Sequence, residues 1–123
     1  MSNPSFIAAQ EISKPANTDL STKQWYVVDL NSSGNVAVAG AGSSFIGVLT
    51  NKPDAAGKAA SVAISGQVPV IAGGTVAPAD FLKIDSSGRV VAASSGDKCI
   101  GRCMAAATVG AETEMLIQPQ TMA

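Results

Sequence analysis

The chain has no histidine and carries little charge. Histidine is missing from all 123 residues, so the side chain that most often serves as general base or metal ligand is not available. Charged residues make up 14% of the chain, compared with about 25% in typical soluble domains. A surface with so little charge, rich in Ala, Ser, Thr and Gly, favours a protein that lies against other proteins. We expect no catalytic residues, no metal, no cofactor and no small-molecule substrate.

Charge and hydropathy also argue against nucleic acid and membrane as partners. The formal net charge is −1, and no basic run supplies the electrostatic footprint that nucleic-acid binding needs. No apolar run approaches the roughly 20 residues that span a bilayer. The N-terminal residues 1–5 lack a positive segment followed by an apolar one, so we expect no signal peptide and synthesis in a cytoplasm.

The chain has only two cysteines, Cys99 and Cys103. Four residues apart on a strand, they would lie about 13 Å from each other, which is too far for a disulfide. A metal site would need more ligands than this pair provides. We therefore expect two reduced, buried side chains that act as small hydrophobic residues.

What the chain does contain is an internal repeat. The repeat is marked by these residues, each of which recurs 54 positions later: Ser32, Ser33, Gly34, Val36, Gly42, Ile46 and Gly47. Matching the strand residues 25–29 to 81–85 through their final aspartates leaves two extra residues in the first copy. A weaker match at a distance of 53 links Gly57, Val62 and Ile64 to Gly110, Met115 and Ile117. Two copies are too few for a solenoid, so they indicate one closed domain built from two related β units.

The pattern of short apolar segments and turn residues predicts an all-β protein. Segments rich in β-branched and aromatic residues alternate with Gly, Ser, Asn, Asp and Pro turns, which is typical of a small barrel or sandwich, β-tulip-like in outline. No segment has a convincing helical period. We predict a single β domain over residues 23–123, with related halves at about 23–72 and 79–118. Residues 1–22 precede the repeat and are predicted to form an extended N-terminal arm.

The arm carries the main candidate contact residues. An apolar cluster near its start predicts a short strand, whereas Pro15 disfavours a helix in the polar run that follows. We expect this cluster to dock on a neighbouring subunit or a larger partner, through Ser5, Phe6, Ile7, Ala8 and Ala9. In the β domain, Trp25 and Phe81 are candidates for the core or for a subunit interface.

Four motifs with possible chemistry fit turns or strands better. Asp29–Gly34 begins like a calcium loop, but its twelfth position is Gly40 where the motif needs Glu. Gly40–Ser44 lacks the third glycine of a dinucleotide loop, and Gly73–Thr75 lacks the lysine of a phosphate-binding loop. Glu112 and Glu114 share one face of a predicted strand. Paired carboxylates can act as acid and base, but alternation with Thr113 and Met115 is the pattern of a strand with one solvent-exposed face.

Several of these segments together resemble the capsid decoration, or cement, proteins of tailed bacteriophages. The resemblance is carried by Phe81–Val91, by Gly96-Asp97, Ile100-Gly101 and Ala105-Ala106, and by the Gly57–Val68 region, and it covers about residues 25–118. It implies a small β-barrel that binds the outer capsid surface of a virion as a homotrimer. There it would bridge neighbouring major capsid protein subunits and stiffen the expanded shell. The arm would lie along the capsid, with Phe6 and Ile7 as anchors and strand addition as the mode of contact.

Three other classes stay open from the sequence. A domain of a phage tail or fibre, including a receptor-binding one, would share the β architecture. A small ligand-binding β module would need a pocket lined by aromatic residues, and the chain has five: one Trp, one Tyr and three Phe. An enzyme based on Lys or Asp would have to work without His and without a Ser or Cys paired with a base.

Overall fold

The computed structural model describes residues 7–40 and 44–121, and this part of the chain is all β. No helix occurs in these two ranges. The predicted fold class is therefore confirmed. Nine strands form the structure: β1 (Ile7–Pro15), β2 (Val27–Leu30), β3 (Val36–Val38), β4 (Gly47–Leu49), β5 (Ala59–Ile71), β6 (Phe81–Ile84), β7 (Val90–Ala92), β8 (Lys98–Cys103) and β9 (Glu112–Thr121).

The strands form one curled antiparallel sheet in which the two copies run outward from a shared centre. The order is β3-β2-β4-β5-β9-β8-β6-β7, and β1 pairs with β5 outside this path. The β5–β9 pair is central. On one side β4 and the β2–β3 hairpin follow, and on the other side β8 and the β6–β7 hairpin follow in the same sequence.

The strand register repeats the 54-residue spacing. Val27 pairs with Val48 and Val28 with Gly47; the equivalent residues of the second copy, Phe81 with Arg102 and Leu82 with Gly101, pair in the same way. The hairpins agree as well, since Leu30 faces Val36 and Ile84 faces Val90. The two sheet halves are therefore the same unit built twice.

This register corrects the alignment of the two hairpin turns. The equivalent of Asp85 is Asn31, so the first copy carries no extra residues. Asn31 Oδ1 accepts hydrogen bonds from the N–H groups of the residues two and four positions on, both at 3.0 Å. Asp85 Oδ1 does the same at 2.8 and 3.0 Å. The turn needs a side-chain oxygen at this position, which Asn and Asp both supply, whereas the sequence match followed residue identity and chose Asp29.

The repeat also includes β1. Pro15 pairs with Ala59 on β5, as Ile71 at the end of β5 pairs with Glu112 on β9. The 13-residue β5 is therefore shared by the two units. Unit 1 runs from β1 to the start of β5, and unit 2 runs from the end of β5 to β9. The sequence predicted an extended arm over residues 1–22 with a short strand at residues 5–9, whereas the pairing of β1 with β5 continues to Pro15.

The core consists mainly of Val and Ala side chains, in two clusters. Glycine lets neighbouring strands approach closely, because a Cβ on Gly47 would collide with the carbonyl oxygen of Ala63, and one on Gly101 with that of Leu116. The smaller cluster includes Ala16 and Leu20 of the predicted arm: Ala16, Leu20, Val28, Val36, Leu49, Ala60 and Val62. The main cluster contains Val27, Ala39, Val48, Ala63, Val68, Val70, Ala72, Val76, Leu82, Ile84, Val90, Ile100, Cys103 and Met115.

Candidate functional site

The candidate arm residues that the structure describes lie at the beginning of β1. Ile7 is opposite Gln67 and Ala8 is opposite Gly66; Ser5 and Phe6 lie outside the described residues, and their predicted contacts stay predictions. Farther along β1, most side chains are exposed: Gln10, Glu11, Ser13, Lys14 and Pro15. Within the described part of the chain β1 pairs only with β5, so its outer edge presents backbone groups suited to strand addition.

Trp25 lies at the junction of the two units. Its N–H donates to the carbonyl of Leu49 at 2.7 Å, and its own carbonyl accepts the N–H of Ile71 at 3.1 Å. The indole is half-buried against the main cluster. Trp25 adopts a left-handed backbone conformation with φ 71°, and β2 begins at Val27, three residues after the start of the strand predicted at residues 24–30. The backbone of Trp25 therefore joins unit 1 to the end of β5, while its side chain packs on the main cluster.

Phe81 lies apart from Trp25, at the start of β6. Its ring is half-exposed, and the guanidinium of Arg102 lies 5.0 Å from the ring centroid. Arg102 Nε also donates to the carbonyl of Ala79 at 3.2 Å. Contacts of this cation–π type contribute about 0.5–1 kcal/mol at exposed sites. Phe81 therefore presents a stacked aromatic on the surface of unit 2.

A groove of about 430 Å³ is a surface feature that sequence reasoning missed. It lies where the segment before β4 meets the beginning of β8 and the end of β9. No local motif announces it, because its walls come from three distant parts of the chain. The apolar part of the lining is Phe45, Ile46 and Pro119, and the polar part is Ser44, Lys98, Gln120 and Thr121.

Three ion pairs join charged side chains in the described part of the chain: Asp54–Lys58, Lys83–Asp97 and Asp85–Arg89. Lys83 Nζ lies 3.1 Å from Asp97 Oδ2. The pKa of Asp97 is lowered, first by the hydrogen bond that its carboxylate accepts from the backbone N–H of Ser94 and then by Lys83. Within residues 7–40 and 44–121, no three metal-binding side chains come together. Both cysteines are buried and unbridged.

No helix in the described ranges is long and apolar enough to cross a membrane.

The sequence pattern of one family fits most of the chain. A family model described as phage cement protein matches residues 9–118. The chain belongs to the phage cement protein family. The match begins inside β1, so the family pattern includes the strand that the sequence prediction placed in the arm. It confirms the resemblance on which the sequence prediction rested, and it identifies the chain as a structural protein of a phage virion.

A solved structure supports the same fold. This cement-family chain is similar to the N base of head fibre gp8.5 of bacteriophage phi29, with a TM-score of 0.74 and 14% sequence identity. The similarity covers 93% of this chain and 98% of that one. At such low identity the likeness concerns the fold. A search of the curated proteins found no match.

Proposed function

We propose that this cement-family protein binds the outer surface of a phage capsid as a homotrimer and stabilises the expanded shell by bridging major capsid protein subunits. The family match over residues 9–118 is the observation that carries the proposal. The low charged fraction of 14% supports it, because a face that binds protein over a wide area does so at lower cost when few charges lose their water.

The outer edge of β1 supports the proposed contact with the capsid. An exposed edge strand offers unpaired N–H and C=O groups along its length, and an extended segment of another protein can pair with them. The candidate residues Ser5, Phe6, Ile7, Ala8 and Ala9 precede or begin this edge. We infer that they extend the contact along the capsid surface.

Repetition on the shell makes a modest affinity sufficient. A capsid presents many equivalent sites, and a trimer that holds three of them converts the second and third contacts into intramolecular events. Such linkage raises overall avidity by about 10²–10⁴-fold when the geometry permits simultaneous binding. Bridging of this kind resists separation of the capsid subunits.

A second candidate role is that of a base that carries a projecting fibre. The observation that favours it is the likeness to a head-fibre base of phage phi29. A fibre base and a cement protein would both bind heads, but only the base would hold a further fibre protein. Image reconstruction of decorated heads separates the two roles, because a fibre adds density beyond the two units of this chain.

The test is co-sedimentation with expanded heads of the cognate phage prepared without this protein. The protein is expected to pellet with the heads, to saturate at a fixed ratio to the major capsid protein, and to stay in the supernatant without heads. A matched variant lacks residues 2–6 and keeps β1 intact; its binding should be weaker while its unfolding temperature is unchanged. Equal binding by that variant would overturn the role of the arm, and no binding by the full chain would overturn the proposed function.

A further inference from the structure

The two hairpin turns of the chain are built alike but have different surroundings. In unit 2 the turn of residues 85–89 is docked on unit 1: Gly88 is buried, and its carbonyl accepts the N–H of Val27 at 2.8 Å. A Cβ on Gly88 would collide with Val38. In unit 1 the turn of residues 31–35 projects freely, and a Cβ on Gly34 would have no described atom within 4 Å. One of two equivalent turns is therefore docked and the other is open.

The surface that receives the docked turn also exists twice. In unit 1 it consists of Val27, Val38 and Ala39, and Ala39 is only 4% exposed because the turn covers this region. The equivalent residues of unit 2 follow from the 54-residue register: Phe81, Ala92 and Ala93. Ala92 is exposed and the other two are half-exposed. The N–H of Val27 donates to the carbonyl of Gly88, whereas outside the strand pairings no described carbonyl accepts the N–H of Phe81.

We propose that the free turn of residues 31–35 in one copy of the chain docks on the Phe81–Ala92–Ala93 surface of a second copy, where Gly34 C=O accepts the N–H of Phe81. This inference rests on the self-association in the proposed function and names its two surfaces. Because these surfaces differ, the contact is heterologous, and a heterologous contact forms a ring of three when the rotation between copies is about 120°.

We take a second copy as the occupant because the chain already contains one example of this contact. The docking of the 85–89 turn on unit 1 shows that this turn shape fits this strand surface. In unit 2, Ala92 in place of Val38 leaves room where a side chain on Gly88 would collide in unit 1, and Phe81 in place of Val27 adds a half-exposed ring beside it. A segment of the capsid would have to reproduce the same turn to fit as well.

The free turn is also the easier of the two to bury between chains. The docked turn includes the charged residues Asp85 and Arg89, whose side chains lie 3.5 Å apart. The equivalent residues of the free turn are Asn31 and Asn35, and residues 31–35 contain no ionisable side chain. Burying this turn therefore costs no desolvation of a charge.

Two substitutions block the two surfaces separately. Gly34→Asn adds a side chain to the turn, and among residues with a Cβ Asn is one of those that best tolerate the φ of 80° found there. Ala92→Glu places a charge on the receiving surface at an exposed position. Gly96→Asn is the matched control, because Gly96 has φ 88° and equally open space but lies outside both surfaces.

Light scattering coupled to size exclusion gives the first readout. The wild type and Gly96→Asn should have the mass of three chains of 12.3 kDa, whereas each blocked variant should have the mass of one. An equimolar mixture of the two blocked variants should form a dimer and nothing larger, since each retains one good surface. Blocked variants that keep the wild-type mass, or a mixture that stays monomeric, would overturn the inference.

If the chains associate only on the capsid shell, the proposed interface is tested on the shell itself. The double variant Ser33→Cys, Ala93→Cys is bound to heads and treated with a short thiol crosslinker, which the buried native cysteines should not react with. A ladder of linked chains is expected from the double variant and not from either single variant. Absence of the ladder at saturation would overturn the interface, whereas absence of binding to heads would overturn the proposed function instead.

Discussion

Trp25 and Ala79 hold the same place in the two units and share the same unusual backbone conformation. Their φ angles are 71° and 77°, and each N–H donates to the carbonyl that ends the neighbouring strand, at 2.7 Å to Leu49 and at 2.9 Å to Cys103. A large aromatic and a small aliphatic residue have no local preference in common that would produce this. The conformation is therefore imposed by the repeated unit, and both residues bear its cost.

Ala79→Gly is expected to stabilise the protein. The left-handed region costs a residue with a Cβ about 1–2 kcal/mol, and part of this gain is lost to the greater freedom of glycine in the unfolded chain. We expect a net increase of about 0.5–1 kcal/mol in the free energy of unfolding, measured with urea. The control Ala77→Gly, at an exposed position with negative φ, should be neutral or destabilising. A loss of stability from Ala79→Gly would contradict the account.

Gly101→Ala is expected to destabilise the sheet, as is Gly47→Ala. At both positions a Cβ would run into a backbone carbonyl of the adjacent strand, and a carbonyl in a paired strand cannot move aside. Overpacking of this kind typically costs about 1–3 kcal/mol. Gly74→Ala serves as the control, because its Cβ would make only an ordinary contact with Val91 at 3.5 Å. Similar thermal midpoints for the three variants would show that the close approach is unimportant.

Asp85→Ala should cost much more stability than Asp85→Asn. The Ala variant removes both hydrogen bonds to the N–H groups of Ser87 and Arg89, at about 0.5–1.5 kcal/mol each. The Asn variant keeps an Oδ1 acceptor, as Asn31 does in unit 1. Urea unfolding of both variants measures the difference. Equal losses would mean that the charge, and not the side-chain oxygen, holds the turn.

Asp97 should make a small contribution to stability that disappears in acid. Its folded-state pKa is lowered from 3.8 by the Ser94 N–H and by Lys83, so the stabilisation is present above the unfolded-state pKa. It is lost as the pH falls through the lower, folded-state value. The difference in unfolding free energy between wild type and Asp97→Asn should therefore be constant near neutral pH and shrink below about pH 4. A difference that grows on acidification would contradict this sign.

The repeat, the all-β class and the family could be predicted because they depend on local signals. Ser-Ser-Gly turns and alternating apolar residues mark each hairpin in both copies. The inclusion of β1 in the sheet could not be predicted, because most of its described side chains are exposed and the segment consequently reads as a polar run. The sequence also could not predict that Gly88 is buried against unit 1 while Gly34 has open space around it, since both lie in identical Ser-Ser-Gly turns.

The candidate site could be predicted only at the level of the family. Their aromatic character makes Phe81 and Trp25 candidates for the core or an interface. Their observed contacts, with Arg102 and Ile71 respectively, involve residues far away in the sequence. The groove beside Lys98 joins three distant segments, and no pattern within any one of them indicates a cavity. Contacts made by strand edges are the hardest to predict from the sequence, because they use backbone N–H and C=O groups that every sequence has.

The rupture temperature of expanded heads, measured with and without this protein by the release of packaged DNA, tests the central claim most directly. The account predicts that the temperature rises as protein is added and levels off when the binding sites on the shell are full. A rupture temperature that stays unchanged at full occupancy would contradict a cement role and would leave a protein that decorates the capsid without stabilising it.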